Sequence, residues 1–102
     1  MKLKHYSEQK LKKEILKIVG KYLDLERYEV FFFGSRVNDQ ESERSDIDVG
    51  IEGPQQVSLK TMAKIRDEIS NLATLYSIDV VDFKSVSQDF LEVAKEKVES
   101  IT

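Results

Sequence analysis

The segment FFFGSRVNDQESERSDIDVGI, residues 31–51, is the most informative about the fold. Its first residues belong to an almost wholly apolar run, Tyr28 to Phe33 (YEVFFF), which predicts a short buried β-strand. Its last residues belong to Ser45 to Glu52 (SDIDVGIE), where polar and apolar residues alternate as in a strand with one face in the core. Two strands therefore flank a connection that begins with Gly34 and Ser35.

Two carboxylates stand on one face of the second strand. Because side chains alternate along a strand, Asp46 and Asp48 point to one side, while Ile47, Val49 and Ile51 fill the other. Neighbouring carboxylates repel each other unless cations neutralise them or a proton bridges them. The chain has no cysteine and one histidine, so a metal site must use oxygen ligands, which favour Mg²⁺ or Mn²⁺.

The connection after the first strand has the features of a phosphate-binding turn. Gly34 permits a tight turn with close backbone approach, and the Ser35 hydroxyl and backbone amides can donate to anionic oxygens. Arg36 adds a cation that can neutralise a triphosphate. The spacing is not that of a P-loop, because no Gly-Lys-Ser or Gly-Lys-Thr follows.

The rest of the sequence predicts three helices and a third strand. These are a helix from Ser7 to about Leu23, a helix capped by Ser58, a strand from Ile78 to Phe83 and a final helix capped by Ser87. The second helix carries Leu59, Met62, Ile65, Ile69 and Leu72 at helical spacing, and the last carries Phe90, Val93, Ala94, Val98 and Ile101 on one face. The order α-β-β-α-β-α predicts one α/β (α+β) domain over residues 1–102, with a mixed β-sheet flanked by helices.

Composition and charge narrow the functional classes. Hydrophobic residues make up 40% and charged residues 34%, which is typical of a globular domain rather than a disordered chain. The start, MKLKHYSEQK, has no signal-peptide pattern and no apolar run could cross a bilayer, so a cytoplasmic protein without membrane contact is expected. The net charge of −3 disfavours tight binding to nucleic acid.

These residues resemble a known family. Gly34-Ser35, ten intervening residues and Asp46-Ile47-Asp48 are similar to the signature of the DNA polymerase β-like nucleotidyltransferase superfamily. The later run IDVVD, residues 78–82, resembles the strand on which that family carries a third carboxylate. The small size points to the minimal nucleotidyltransferases of bacteria and archaea, which commonly accompany a HEPN-domain protein in toxin–antitoxin pairs. The resemblance implies the polymerase β-like nucleotidyltransferase fold.

The resemblance also implies a role for each site residue. Asp46, Asp48 and Asp79 would bind two Mg²⁺ ions that grip the triphosphate of ATP, and Asp79 would help to deprotonate the acceptor hydroxyl. Gly34 and Ser35 would hold the β- and γ-phosphates. The reaction would be an in-line displacement at the α-phosphorus, in which two metal ions stabilise the attacking and leaving oxygens.

The third carboxylate has two candidates on the same strand. Asp79 and Asp82 lie on opposite faces, and spacing alone does not choose between them. The family pattern favours Asp79, and Asp82 is expected to cap the following turn.

One position departs from the family pattern. Asp39 stands where the family often has a glycine, although aspartate can still enter a left-handed turn. Asp39, Glu41 and Glu43 bring negative charge near a triphosphate site, and Arg36 and Arg44 can offset that charge.

The aromatic residues are assigned mainly to packing. The run Phe31 to Phe33 is predicted to lie in the core and not to stack on a base. Tyr28 and Tyr76 are predicted to be amphipathic edge residues, and either could lie near the nucleotide base.

Three functional hypotheses follow. In the first, the chain transfers AMP from ATP to a tyrosine of a partner HEPN toxin and so acts as the antitoxin. Since the catalytic core takes up nearly all of the chain, the acceptor must be docked by another chain or be a protein. In the second, the chain is a binding module that neutralises a partner by complex formation, as a homo- or hetero-oligomer. The third, a small-molecule nucleotidyltransferase such as one acting on aminoglycosides, is disfavoured because no acceptor segment is evident.

Overall fold

The computed structural model of the chain describes residues 7–34, 46–72 and 76–102, and for Asp46 the backbone only. The helices are α1 (Glu8–Gly20), α2 (Leu59–Ser70) and α3 (Gln88–Ala94), and the strands are β1 (Glu29–Phe33), β2 (Asp46–Glu52), β3 (Ser77–Asp82) and β4 (Val98–Ser100). The predicted order α-β-β-α-β-α is confirmed for the first six elements, and β4 follows them. In the part of the chain that is described, no helix is long and apolar enough to span a bilayer.

The four strands form one mixed sheet in the order β3-β2-β1-β4. β1 runs antiparallel to both β2 and β4, whereas β2 and β3 are parallel. Because a parallel pair needs a crossover connection, α2 lies between β2 and β3 in the chain. This arrangement makes β3 an edge strand and places β2 beside it.

Each helix begins after a serine cap. The hydroxyls of Ser7, Ser58 and Ser87 accept hydrogen bonds from the backbone N–H three residues later, at 3.3, 3.1 and 3.2 Å. Each bond satisfies a first-turn donor that has no partner within the helix. The predicted caps Ser58 and Ser87 are therefore confirmed.

The main core lies on one face of the sheet, under α1 and α2. Its fully buried side chains include Leu11, Ile15, Val19, Val30, Phe32, Ile47, Val49, Ile51 and Ile65. The apolar residues that alternate along β2 lie here, as predicted, so Asp48, which lies between two of them, faces the other side of the sheet.

A smaller aromatic core covers part of the second face. Phe31, Phe33, Phe83 and Ala94 are buried there. Phe83 meets Phe31 and Phe33 edge to face, with ring centroids 4.8 and 5.0 Å apart. Gly50 makes room for this cluster, because a Cβ on it would stand 2.4 Å from the Phe31 ring. The assignment of Phe31 to Phe33 to packing is confirmed.

The C-terminal residues differ from the sequence prediction. The last helix ends at Ala94, and Val98 starts a strand where a helical face was predicted, so that part of the prediction is wrong. The backbone N–H of Ile101 donates to the Val30 carbonyl at 2.8 Å. β4 forms because the edge of β1 that faces away from β2 has backbone N–H and C=O groups that need hydrogen-bond partners. A strand supplies these partners, whereas a longer helix would not.

Leu59 also differs from the prediction. It was counted in the apolar face of α2, but its side chain is 81% exposed. Leu59 is the first residue of the helix, and the buried face begins one turn later with Met62.

Candidate active site

The open part of the second sheet face carries a row of side chains across three strands. Phe33 of β1 is the register partner of Asp48 of β2, and Asp48 is the register partner of Asp79 of β3. Register partners point to the same face, and neighbouring strands lie about 4.8 Å apart. The carboxylates of Asp48 and Asp79, which we call the carboxylate row, therefore face one region. Both line a groove of about 780 Å³. We call it the acidic groove.

Only the backbone of Asp46 is described. Asp46 is the first residue of β2 and the register partner of Ser77, two residues before Asp48. Other residues discussed for this site lie outside the described part of the chain: Ser35, Arg36, Asp39, Glu41, Glu43, Arg44 and the Asp46 side chain. Among the side chains that are described, no three acidic or histidine side chains form a metal-binding group. The predicted set of three carboxylates thus depends on Asp46.

Gly34 brings the end of β1 against Asp48. Its φ is +90°, in the left-handed region that favours glycine. A Cβ on Gly34 would stand 2.8 Å from Oδ2 of Asp48, closer than real Cβ contacts. This φ suits the predicted tight turn, whose following residues lie outside the described part of the chain, and Gly34 adjoins Asp48.

Asp82 lies on the opposite face from Asp79. Its side chain is 2% exposed, and its Oδ2 accepts a 2.7 Å hydrogen bond from the backbone N–H of Val57. Its Oδ1 accepts a 2.9 Å bond from the N–H of Lys84, so Asp82 caps the following turn as predicted. Asp79 is exposed on the face of Asp48, which makes it the β3 carboxylate that can share a ligand with β2.

The far wall of the acidic groove comes from α2. Arg66, Asp67 and Ser70 line it together with Asp79. The Nε–H of Arg66 donates to the Val80 carbonyl at 3.0 Å, on the edge strand. No sequence motif marks Arg66, because it is one of 16 basic residues and only the β2–α2–β3 crossover brings it to this edge.

Neither candidate tyrosine lies at the carboxylate row. Tyr28 packs on Gly53, where a Cβ would stand 2.3 Å from its ring, and its hydroxyl donates to the Gln55 carbonyl at 3.3 Å. This is the end of β2 away from Asp46. Tyr76 is 6% exposed and belongs to the main core, so its predicted edge position is wrong. Its ring packs under the sheet before β3 begins.

A glycine turn that meets paired strand aspartates on a mixed sheet is the arrangement of a nucleotidyltransferase domain. Residues 13–101 match the family model described as polymerase beta, nucleotidyltransferase. The chain belongs to this family. None of the curated proteins compared with the sequence matches it.

Solved structures share the fold. A chain from the structure of tri-AMPylated Shewanella oneidensis HEPN toxin in complex with MNT antitoxin superposes with a TM-score of 0.72 at 17% identity, over 94% of this chain and 72% of that one. A toxin–antitoxin structure with AMP-PNP gives 0.72 at 16% identity, over 89% and 72%. The toxin–antitoxin MntA-HepT gives 0.70 at 16% identity, over 93% and 72%.

Proposed function

We propose that this nucleotidyltransferase domain transfers AMP from ATP to a tyrosine hydroxyl of a partner HEPN-domain toxin, and that it acts in this way as an antitoxin in the cytoplasm. The observation that carries the proposal is the register of Asp48 with Asp79 on an open sheet face, next to the turn at Gly34. The choice of nucleotide and acceptor is supported by two similar structures, one of which holds AMP-PNP and the other a tri-AMPylated HEPN toxin.

Asp46, Asp48 and Asp79 are the proposed ligands of two Mg²⁺ ions, for which Mn²⁺ can substitute. Their chemistry fits, because carboxylate oxygens are hard ligands and because like charges on adjacent strands need neutralisation. Such ions, when bound, would stabilise the charge on the attacking hydroxyl oxygen and on the pyrophosphate that leaves the α-phosphorus in an in-line displacement.

Protein groups on either side of the carboxylate row bind the phosphates and accept a proton. On the β1 side, the Gly34 turn with Ser35 and Arg36 holds the phosphates. On the β3 side, Asp79 accepts the proton of the acceptor hydroxyl, which enters through the acidic groove beside α2. Holding both reactants in line supplies much of the rate enhancement.

A transfer assay tests this function. The purified domain is mixed with Mg²⁺, ATP labelled at the α-phosphate and the HEPN-domain protein encoded beside it, and label on that protein is measured. We expect labelling by the wild type and none by the double variant Asp46→Asn, Asp48→Asn. Glu29→Gln is the control, because Glu29 is an exposed carboxylate at the far end of the same sheet face. Undiminished labelling by the double variant would refute the mechanism.

A binding module is the second candidate. The exposed apolar side chains Val93 (70%) and Val98 (49%) favour it, since a partner could cover them. The melting temperature separates the two: ATP with Mg²⁺ should raise it relative to ATP with chelator if the domain binds nucleotide. A melting temperature that stays the same at millimolar ligand would favour neutralisation by complex formation alone.

A further inference from the structure

A second groove starts at Gly34 and follows α3. It has a volume of about 300 Å³, and its wall includes Phe33, Gly34, Phe90, Val93, Ala94 and Lys97. We call it the α3 groove. It shares Phe33 and Phe90 with the acidic groove, so the two open on either side of the same aromatic pair. Gly34 itself lines the α3 groove, and the acidic groove is lined by its neighbour Phe33.

Phe90 stands between the two grooves. Its side chain is 38% exposed, although its helical spacing predicts a place on the face that covers the sheet. Its ring meets Phe33 and Phe83 edge to face, with centroids 6.0 and 5.9 Å apart. These contacts fix the ring while leaving part of it open. In the same aromatic cluster, Phe31, Phe33 and Phe83 are at most 7% exposed, so Phe90 is the ring that a ligand can reach.

The two grooves differ in chemistry. The acidic groove carries Asp48, Asp67 and Asp79. The α3 groove is lined mainly by aromatic and aliphatic side chains, and the charged residues described in its wall are one carboxylate, Glu96, and one cation, Lys97. A nucleobase has a flat π-face that stacks favourably on an aromatic ring. A triphosphate at the Gly34 turn would therefore place its base in the α3 groove at a lower desolvation cost than among three carboxylates.

We propose that the α3 groove is the base-binding site of the nucleotide, with Phe90 as the stacking platform, and that the acidic groove is thereby left to the acceptor. This assignment rests on the proposed function, because it takes the phosphates to lie at the Gly34 turn. It identifies Phe90 as a residue that determines affinity for the nucleoside and not for the phosphates.

The first experiment compares ATP with inorganic triphosphate, both with Mg²⁺, by calorimetry. We expect Phe90→Leu, which keeps an apolar side chain in the cluster, to weaken ATP binding about five- to thirtyfold and to leave triphosphate binding unchanged. Leu59→Ala is the control, since it removes an exposed apolar side chain from α2. The melting temperature without ligand verifies that each variant is folded.

The outcomes separate the two proposals. Wild-type protein that binds neither ligand overturns the proposed function and, with it, the base assignment. Wild-type protein that binds both ligands, with Phe90→Leu weakening both or neither, overturns the base assignment alone.

The second experiment uses the lack of tryptophan in the chain. Phe90→Trp introduces a single tryptophan at the groove, and its emission should change with Mg²⁺ and ATP but not with Mg²⁺ and triphosphate. Leu59→Trp should respond to neither ligand. An emission that responds to the HEPN-domain partner and not to ATP would assign the α3 groove to the protein interface and overturn the proposal.

Discussion

At the scale of single residues, Asp79 and Asp82 share a strand but have opposite surroundings. Side chains alternate along β3, so residues three apart face opposite sides of the sheet. Asp82 is buried and accepts two backbone hydrogen bonds, whereas Asp79 is exposed beside Asp48. The alternation was readable from the sequence, but the choice between the two faces needed the family resemblance, because each face carries one aspartate.

Because the two aspartates have different surroundings, substitution of Asp79 should lower activity and substitution of Asp82 should lower stability. Asp79→Asn should lower AMP transfer by a factor of about 100 or more and leave stability unchanged, since the proposed proton acceptor is lost. Asp82→Ala should cost about 1–3 kcal/mol of unfolding free energy, because the N–H groups of Val57 and Lys84 lose their acceptor. Urea unfolding and the transfer assay measure the two effects. Loss of transfer in folded Asp82→Ala with retention in Asp79→Asn would reverse the assignment.

Gly34 offers a second residue-scale test. Gly34→Ala should destabilise the domain by about 1–2 kcal/mol, because φ is +90° there. It should also weaken binding of ATP with Mg²⁺, because the added Cβ would press on the Asp48 carboxylate. Gly20→Ala, at the end of α1, is the control and should leave binding unchanged. Equal nucleotide affinity for both variants and the wild type would mean that the Gly34 turn does not adjoin the phosphate site.

At the scale of elements, the sequence predicts those whose signal is local. The alternation in β2 and the serine caps of α2 and α3 are contained within a few residues, and all are confirmed. β4 has three residues and pairs with β1, which lies far away in the chain. No local pattern separates so short a strand from the end of a helix, so its place could not be predicted.

Substitutions at Ile101 and Val98 test whether the C-terminal residues form a strand and not the end of a helix. Ile101→Ala should cost about 2 kcal/mol, because Ile101 is 7% exposed against the core. Val98→Ala should change stability by no more than about 0.5 kcal/mol, because Val98 is 49% exposed. Thermal or urea unfolding measures both. If the two residues shared the buried face of a helix, as the sequence suggested, the two losses would be similar.

A hydrogen-bonded cluster joins α1 to α2 and makes stability depend on pH. Lys21 and Tyr22, which follow α1, both donate to the Glu68 carboxylate of α2. The hydrogen bond from Lys21, and then that from Tyr22, lower the pKa of Glu68 below its usual 4.5. A lowered carboxyl pKa contributes stability above pH 4.5, and this contribution is lost as the pH falls through the folded-state pKa.

Glu68→Gln tests that linkage. We expect the variant to melt below the wild type at pH 7, and the difference to narrow at an acidic pH below the folded-state pKa of Glu68, where the wild-type carboxyl also becomes protonated. Melting curves at the two pH values measure the effect. A difference of the same size at both would mean that the charge of Glu68 contributes nothing and that only its shape matters.

At the scale of the whole molecule, one sheet face carries both the aromatic core and the carboxylate row. Strand period and spacing predicted that Asp46 and Asp48 share a face, and the family resemblance added Asp79. Arg66 and Phe90 reach the two grooves through the crossover helix α2 and the return helix α3, and no motif marks them. Residues such as these, which reach the site only through the path of the chain, could not be identified from the sequence.

The carboxylates of Asp48 and Asp79 are proposed to form a divalent-cation site beside Gly34. Calorimetric titration of ATP with and without Mg²⁺ tests it most directly, on the wild type, on the double variant Asp48→Asn, Asp79→Asn and on Glu29→Gln, a carboxylate change at the far end of the same face. We predict Mg²⁺-dependent binding by the wild type and by Glu29→Gln, and none by the folded double variant. Unaltered Mg²⁺-dependent binding by the double variant would contradict the claim.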